Sequence, residues 1–354
     1  MGAPPRQGLM SKEGRFRWRY LALTLLVIAL VALFLWLVDF ATLFQTLETA
    51  NLAYLALGLL FFALGSLTLS ARWRYVLSNR PAYPPTFYTD AIAFMANVWA
   101  HIPAPLSRVF GISRVSPVTI PQASSGVVVE RLFEQIMRLT ALVLTITLAV
   151  SGENQGANIV TGAAVIFAAV IFIFWLVRNQ EKVILPLSRL FGRLPRLNEA
   201  RVRGVLEELL SGLSSASTPR QLFVGLLLSA ITWGFFYGFH LFTLLSIATE
   251  LPPQELAGMA ALALAVAPPS APAMIGIFHG VLIGALSLAW PRQVTLITAY
   301  ALLLHAVQLF FWTPTGLWGL TRVDFRLSAL LSQRQAQNKA PQPGEQLPAA
   351  DQDG

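Results

Sequence analysis

The sequence predicts an all-α, polytopic transmembrane helical bundle, and three observations lead there. The 354 residues are 55% hydrophobic and only 12% charged, with a mean hydropathy of +0.62, whereas a soluble domain carries roughly twice that charge. Six apolar runs approach or exceed the ~20 residues needed to cross a ~30 Å hydrocarbon core. Two further apolar stretches, one in each half, are broken by proline and small polar residues at about membrane depth. The expected fold is therefore about six full spans plus two Pro-broken re-entrant or hairpin segments.

The first run, 20–38, follows Arg15, Arg17 and Arg19, and no small-residue cleavage site comes after it. A signal peptide has a shorter apolar core and such a site, so this reads as an uncleaved first helix behind a basic cytoplasmic N-terminus, 1–19. The other full spans are placed at 52–70, 130–150, 157–177, 222–247 and 295–320, and the irregular segments at 88–107 and 257–290. These make one transmembrane domain over 20–325. Between the halves, Val202, Val205, Leu206, Leu209, Leu210 and Leu213 recur at helical spacing opposite Arg201, Arg203, Glu207 and Glu208. The loop 178–220 thus reads either as an amphipathic helix on the inner membrane surface or as a linking helix packed on the bundle. The tail, 326–354, is rich in Gln, Pro and Ala and is expected to be disordered.

Charge sets the expected topology. The chain carries a net +8, and of its 25 basic residues eight fall within 178–220. The presumed outer loops 39–51, 151–156 and 248–256, with the ends of the second irregular segment, hold Asp39, Glu48, Glu153, Glu250 and Glu255 but only Arg292 among the bases. Basic residues favour the cytoplasmic side, so both termini are expected there, in the inner (cytoplasmic) membrane. The bases are a topology signal and not a nucleic-acid footprint. On this layout the first irregular segment enters from the cytoplasm and the second from outside, which suggests an inverted repeat of the kind found in alternating-access carriers.

The breaks themselves carry functional weight. Lipid cannot satisfy a free backbone, so non-helical chain at membrane depth must be buried in protein or line a wet cavity. The first break runs from Asp90 through Asn97, His101, Pro103, Pro105 and Ser107 to Arg108. The second runs through Pro268, Pro269, Ser270, Pro272, Gly276 and His279. A matched pair of such segments points to a transporter-type site near the midplane.

Four groups could carry chemistry. Glu130, Glu134 and Arg138 are spaced by four and share a helix face, with Arg131 beside them. Arg138 lies about 10 Å deeper than Arg131, where a charge costs about 2.5–3.5 kcal/mol and must face the bundle interior. This stripe either holds a lipid phosphate or relays protons, or else Glu134 and Arg138 form an i,i+4 pair that fixes packing. Arg72 and Arg74 bracket Trp73 as either interfacial anchors or phosphate ligands. Arg108 could clamp a phosphate bidentately. His101 and His279, without nearby cysteine or carboxylate, make a poor metal site and read as hydrogen-bonded helix packers. Gly276, Gly280 and Gly284, and the pair Gly234 and Gly238, have spacings that allow close helix contact.

Enzyme signatures are missing: there is no Walker loop, no G-x-S-x-G and no H-E-x-x-H. The absence of cysteine removes disulfides, thiol catalysis and lipobox acylation. The expectation is a protein that is not an enzyme and needs no cofactor.

At these same residues the chain resembles the transmembrane, flippase-like region of lysylphosphatidylglycerol synthases and its stand-alone relatives. Arg72-Trp73, the Asn97…Pro103…Arg108 break, Glu130-Arg131-Leu132-Phe133-Glu134 and the stretch Pro269-Ser270-Ala271-Pro272 through Gly276 to His279 carry the likeness. Glu134 stands where the family pattern has Asp, Ala273 where it has Gly, and His279 where it usually has Glu. The resemblance covers about 20–325 and is to a member without the aminoacyl-transferase domain. It implies handling of a phospholipid or polyisoprenoid-linked lipid.

The expected function is accordingly binding and translocation of such a membrane lipid, with Arg108, Arg131 and Arg138 on the headgroup phosphate and Glu130 and Glu134 tuning the site. The alternative is a non-transporting scaffold or accessory subunit of a membrane-bound lipid-modifying or glycosyl-transfer enzyme. An integral-membrane transferase has the least support.

Overall fold

The computed structural model describes residues 47–149, 218–267 and 274–323, with isolated positions at 45 and between 160 and 179. The spans expected at 20–38 and over most of 157–177, the loop 178–217 apart from Asn179, and Pro268 to Ala273 lie outside the described residues, as does the tail. Every described regular element is helical: α1 (Leu52–Val76), α2 (Tyr83–Ala100), α3 (Ala104–Val115), α4 (Ile120–Ala149), α5 (Pro219–Leu245), α6 (Pro253–Val266), α7 (Met274–Ala289) and α8 (Val294–Arg322), the last preceded by a 3₁₀ turn, Pro291–Gln293.

Local sequence sets the helix ends. The Asn51 side chain accepts the Ala53 and Tyr54 N–H groups to cap α1, and Thr218 with Gln221 forms a capping box at α5. Prolines sit in the first turn of α2, α3, α5 and α6, where their missing N–H costs nothing. The expected span 52–70 proves longer: α1 runs to Val76, so Arg72 and Trp73 lie inside a helix and are fully buried. Likewise α4 starts ten residues before the expected 130. Three helices, α1, α5 and the stretch Pro291–Arg322, are long and apolar enough to cross a membrane.

The segment 88–107 resolves into a tight helical pair. Chain direction reverses at His101, whose φ of 56° is left-handed, and the Asn97 side-chain amide donates to the Ile102 carbonyl across the turn. From there α3 folds back along α2, so that Arg108 meets Asp90. The short helices α6 and α7 flank the second break in the same order and also contact each other.

Packing relates the two halves. The start of α1 touches the end of α5, through Asn51 N–H on the Ser246 carbonyl, and Val76 at the far end of α1 clusters with Leu222 of α5. The two helices are therefore antiparallel. Further, α2 packs along α8 while α4 packs along α6. If α1–α4 are matched in order with α5–α8, the pairing of α2 with α8 becomes that of α6 with α4. The α1 and α5 pair maps onto itself. The contacts of α1–α4 with the other half are thus matched by those of α5–α8. The largest core gathers α5, α6, α7 and α8 around Phe239, Met259, Phe278 and Tyr300, joined by Phe62 of α1.

Close approach depends on glycine at several crossings, among them α1 with α5 and α2 with α8. A Cβ at Gly238 would fall 2.2 Å from the Phe61 ring, and one at Gly316 would fall 2.6 Å from Met95 Cβ and 2.9 Å from the Ala91 carbonyl oxygen. The Gly316 neighbours are backbone or near-backbone and cannot swing aside. Gly316→Ala should therefore push α8 off α2 and cost about 1–3 kcal/mol, read as a lower unfolding temperature in detergent. An unchanged midpoint would disprove that contact. By contrast, a Cβ on Gly234, Gly276, Gly280 or Gly284 meets nothing within 4 Å, so the expected close helix contact at these positions is not found among the described residues.

Candidate functional site

Charged side chains from four helices converge between the hairpin α2–α3 and α4. Arg72 on α1 donates from Nε and Nη2 to Glu130 Oε1 (3.3 and 3.2 Å) and from Nη2 to Glu134 Oε1 (3.3 Å). Arg108 on α3 donates from Nη1 to Glu130 Oε2 (2.7 Å) and from Nε to Asp90 Oδ1 (2.7 Å). Ser70 donates to the other Asp90 oxygen at 2.6 Å, and Arg131 donates to Glu134 Oε2 at 2.6 Å. One carboxylate, Glu130, thus ties α1 and α3 to α4. The Arg108 guanidinium also lies 4.0 Å from the centre of the Trp73 ring, a cation–π contact that a water-excluded setting strengthens.

The cluster occupies a wall of a cavity of about 170 Å³. Arg72, Arg108, Arg131, Glu134 and Arg138 all line it, with Asn97 and Pro105 from the first break. Aromatic side chains line it too: Phe62, Phe94, Phe236, Phe239 and Trp312. Arg72 and Arg108 are almost wholly buried, yet Arg72 Nη1 and Arg108 Nη2 have no hydrogen-bond partner. A guanidinium carries five N–H donors, and three carboxylates shared among the arginines do not exhaust them. Among the described residues of the cluster, and with every group ionised, Arg72, Arg108, Arg131 and Arg138 outnumber Asp90, Glu130 and Glu134 by four to three.

Two expectations need correction. Arg72 is not an interfacial anchor: its helix continues past it, and its charge is held by Glu130 and Glu134 inside the bundle. Nor does Arg138 form the i,i+4 pair with Glu134. It donates from Nη1 to the Ala265 carbonyl and from Nη2 to the Ala267 carbonyl (2.7 Å), with its guanidinium 5.8 Å from the Trp233 ring centre. These carbonyls end α6 and lack intrahelical partners, and a cation is favoured there by the helix dipole. Glu134 is instead drawn to Arg72 and Arg131.

The remaining expected residues divide. Asn97 is fully buried, with Oδ1 unpartnered, and Pro103 caps α3, its carbonyl accepting the Leu106 and Ser107 N–H groups. Gly276 is exposed and holds a φ of +98°, which a side chain would strain. Pro269 and Pro272 lie outside the described residues. His279 is not a hydrogen-bonded packer: its Nε2 is buried without a partner and its ring lies 5.0 Å from that of His305. Sequence reasoning left Asp90 out of the site and missed Ser70, His240, Tyr300, His305 and Gln308. For Asp90 and His305 a signal was available, since an ionisable residue within an apolar run is a candidate by default.

A family model described as "Lysylphosphatidylglycerol synthase TM region" matches residues 21–316. No curated protein and no solved structure matches the chain.

Proposed function

We propose that this chain, which belongs to the lysylphosphatidylglycerol synthase transmembrane-region family, holds the phosphate of a membrane lipid in the arginine-lined cavity and carries it between leaflets. The observation supporting this most is the pair of buried, unpartnered guanidinium nitrogens on Arg72 and Arg108, two residues that line the cavity. A desolvated N–H group costs about 1–3 kcal/mol, more when charged, and an anionic oxygen would satisfy both. Phosphodiester chemistry fits: one negative charge, two unesterified oxygens that a guanidinium fork can take bidentately, and apolar tails that the aromatic side chains and surrounding lipid accept.

In this reading Arg72 and Arg108 bind the headgroup first, because Glu130 and Asp90 already fix their orientation. Arg131 and Arg138 line the same space. The chain crosses the membrane about six times, and its antiparallel halves rock about the cavity as an inverted repeat. It lies in the cytoplasmic membrane with both termini inside, as the Lys/Arg bias favours. In this reading it performs no bond chemistry of its own.

The test is reconstitution of the full chain in liposomes with fluorescent lipids confined to one leaflet. Redistribution should accelerate for a phosphate-bearing headgroup and fall to background with Arg108→Gln. Failure across a broad headgroup panel, with a stoichiometric enzyme recovered from mild detergent, would replace transport by a scaffolding role.

A further inference from the structure

The charged residues of the cavity come from α1 to α4. Among the described residues, the titratable groups inside α5 to α8, away from the helix ends, are histidines and tyrosines, and they are organised differently. His240 is a packed histidine: its Nδ1 lies 2.8 Å from the Tyr300 hydroxyl, and it lines the cavity. His279 on α7 and His305 on α8 have no such partner. Their rings lie 5.0 Å apart, tilted by 30°, with His279 Nε2 and both His305 nitrogens buried and unsatisfied. His305 is the twelfth of the 29 residues of α8, about 16 Å along the helix and so near mid-bilayer.

Polar groups at that depth are costly and are retained where they serve an ion pathway. Two imidazoles this close, with no other partner, can satisfy a nitrogen on each ring through an N–H···N bond, and an added proton makes that bond charge-assisted and stronger. We propose that His279 and His305 form a proton-binding site that takes up one proton from water, the pair passing from neutral to +1.

Placement links the site to the cavity. Phe278, next to His279, lines the cavity and packs its ring edge-on to His305 at 5.8 Å. Gln308, one turn along α8 from His305, lines it too. The described titratable groups on the elements packed around α7 and α8 are engaged or remote. Asp90 is held by Arg108 and Ser70, and Tyr83 donates to the Leu67 carbonyl. Tyr300 and His240 hold each other, Tyr237 donates to the Ala257 carbonyl, and Arg72 is paired. Tyr88 packs on Trp318. Glu255 and Arg292 stand at the outer ends of α6 and the 3₁₀ turn, away from the break, and Arg322 closes the far end of α8.

A consequence for transport rests on the lipid-binding reading above. A lipid anion bound in the cavity lowers the cost of a proton on the histidine pair, and that proton lowers the cost of the anion. Anion and proton then favour each other's binding reciprocally, giving electroneutral co-movement of one proton with one lipid phosphate.

Two measurements decide this on the full chain. In nanodiscs, histidine-ring nitrogen NMR should show two of the four imidazoles titrating as a coupled pair that binds one proton, and His279→Gln should abolish the coupled step seen at His305. Histidines that stay neutral from about pH 8 to pH 4, or titrate independently, would overturn the site; the wild-type titration alone gives this answer if the variant fails to fold. In proteoliposomes carrying fluorescent phosphatidylglycerol and a lumenal pH dye, an imposed pH gradient should change the redistribution rate several-fold and move protons with lipid. The His279→Gln/His305→Gln double variant should lose both effects, and retaining them would overturn the coupling. A titrating pair without lipid movement at any pH would support the proton site and remove the lipid reading.

Discussion

Glu130→Gln should sharply reduce the yield of folded protein and cost about 3–5 kcal/mol of stability, the range for removing one partner of a buried ion pair. The Glu130 carboxylate takes Arg72 on one oxygen and Arg108 on the other, and all three side chains are at most 7% exposed. An amide would face two guanidinium groups with one acceptor and a donor of its own. Two cations would then share too little negative charge at depth, in a protein whose whole margin is about 5–15 kcal/mol. The loss should appear as a small monodisperse fraction by fluorescence-detected size exclusion and a lower unfolding midpoint. Arg72→Gln/Glu130→Gln should recover part of it, because removing both charges leaves no orphan ion. A single variant that melts with the wild type would show that Glu130 does not join the three helices.

Arg138→Ala should abolish lipid movement while lowering stability less than Glu130→Gln does. Its guanidinium holds two carbonyls at the end of α6 and faces the cavity, so it serves both packing and ligand. Charge-assisted hydrogen bonds are worth about 1.5–3 kcal/mol each, and water or neighbouring donors can replace part of that. Arg138→Lys separates the two roles. It keeps the charge and one carbonyl bond but loses the planar fork. Near-normal stability with lost transport would tie the fork to the anion, whereas normal transport would limit Arg138 to capping α6. Because Glu134 pairs with Arg72 and Arg131, adding Glu134→Gln to Arg138→Gln should not restore activity. A full rescue by that double variant would mean the two charges are partners after all.

Much of this protein was legible in one dimension because a bilayer leaves few choices. Apolar runs, prolines and the thin scatter of charge required helices with two interruptions, and the stripe Glu130, Arg131, Glu134, Arg138 was readable from helical spacing alone. The sequence also flagged Asn97, Pro103 and Arg108, since polar and helix-breaking residues at depth need a reason to be there. What it could not settle was partnership. Spacing by four makes Glu134 and Arg138 neighbours on a helix surface, and that is a local rule. In the folded chain Arg72 arrives from 58 residues earlier to claim Glu130 and Glu134, and the open carbonyls of α6 arrive from 127 residues later to claim Arg138. The same holds for His279, which reads as a packer in sequence but meets His305 of α8, with its Nε2 and both His305 nitrogens left without a hydrogen-bond partner. Membrane insertion is governed by each segment's own hydrophobicity, so it is written along the chain. Which charges pair and which nitrogens stay open is decided by contacts between helices that sequence distance does not encode.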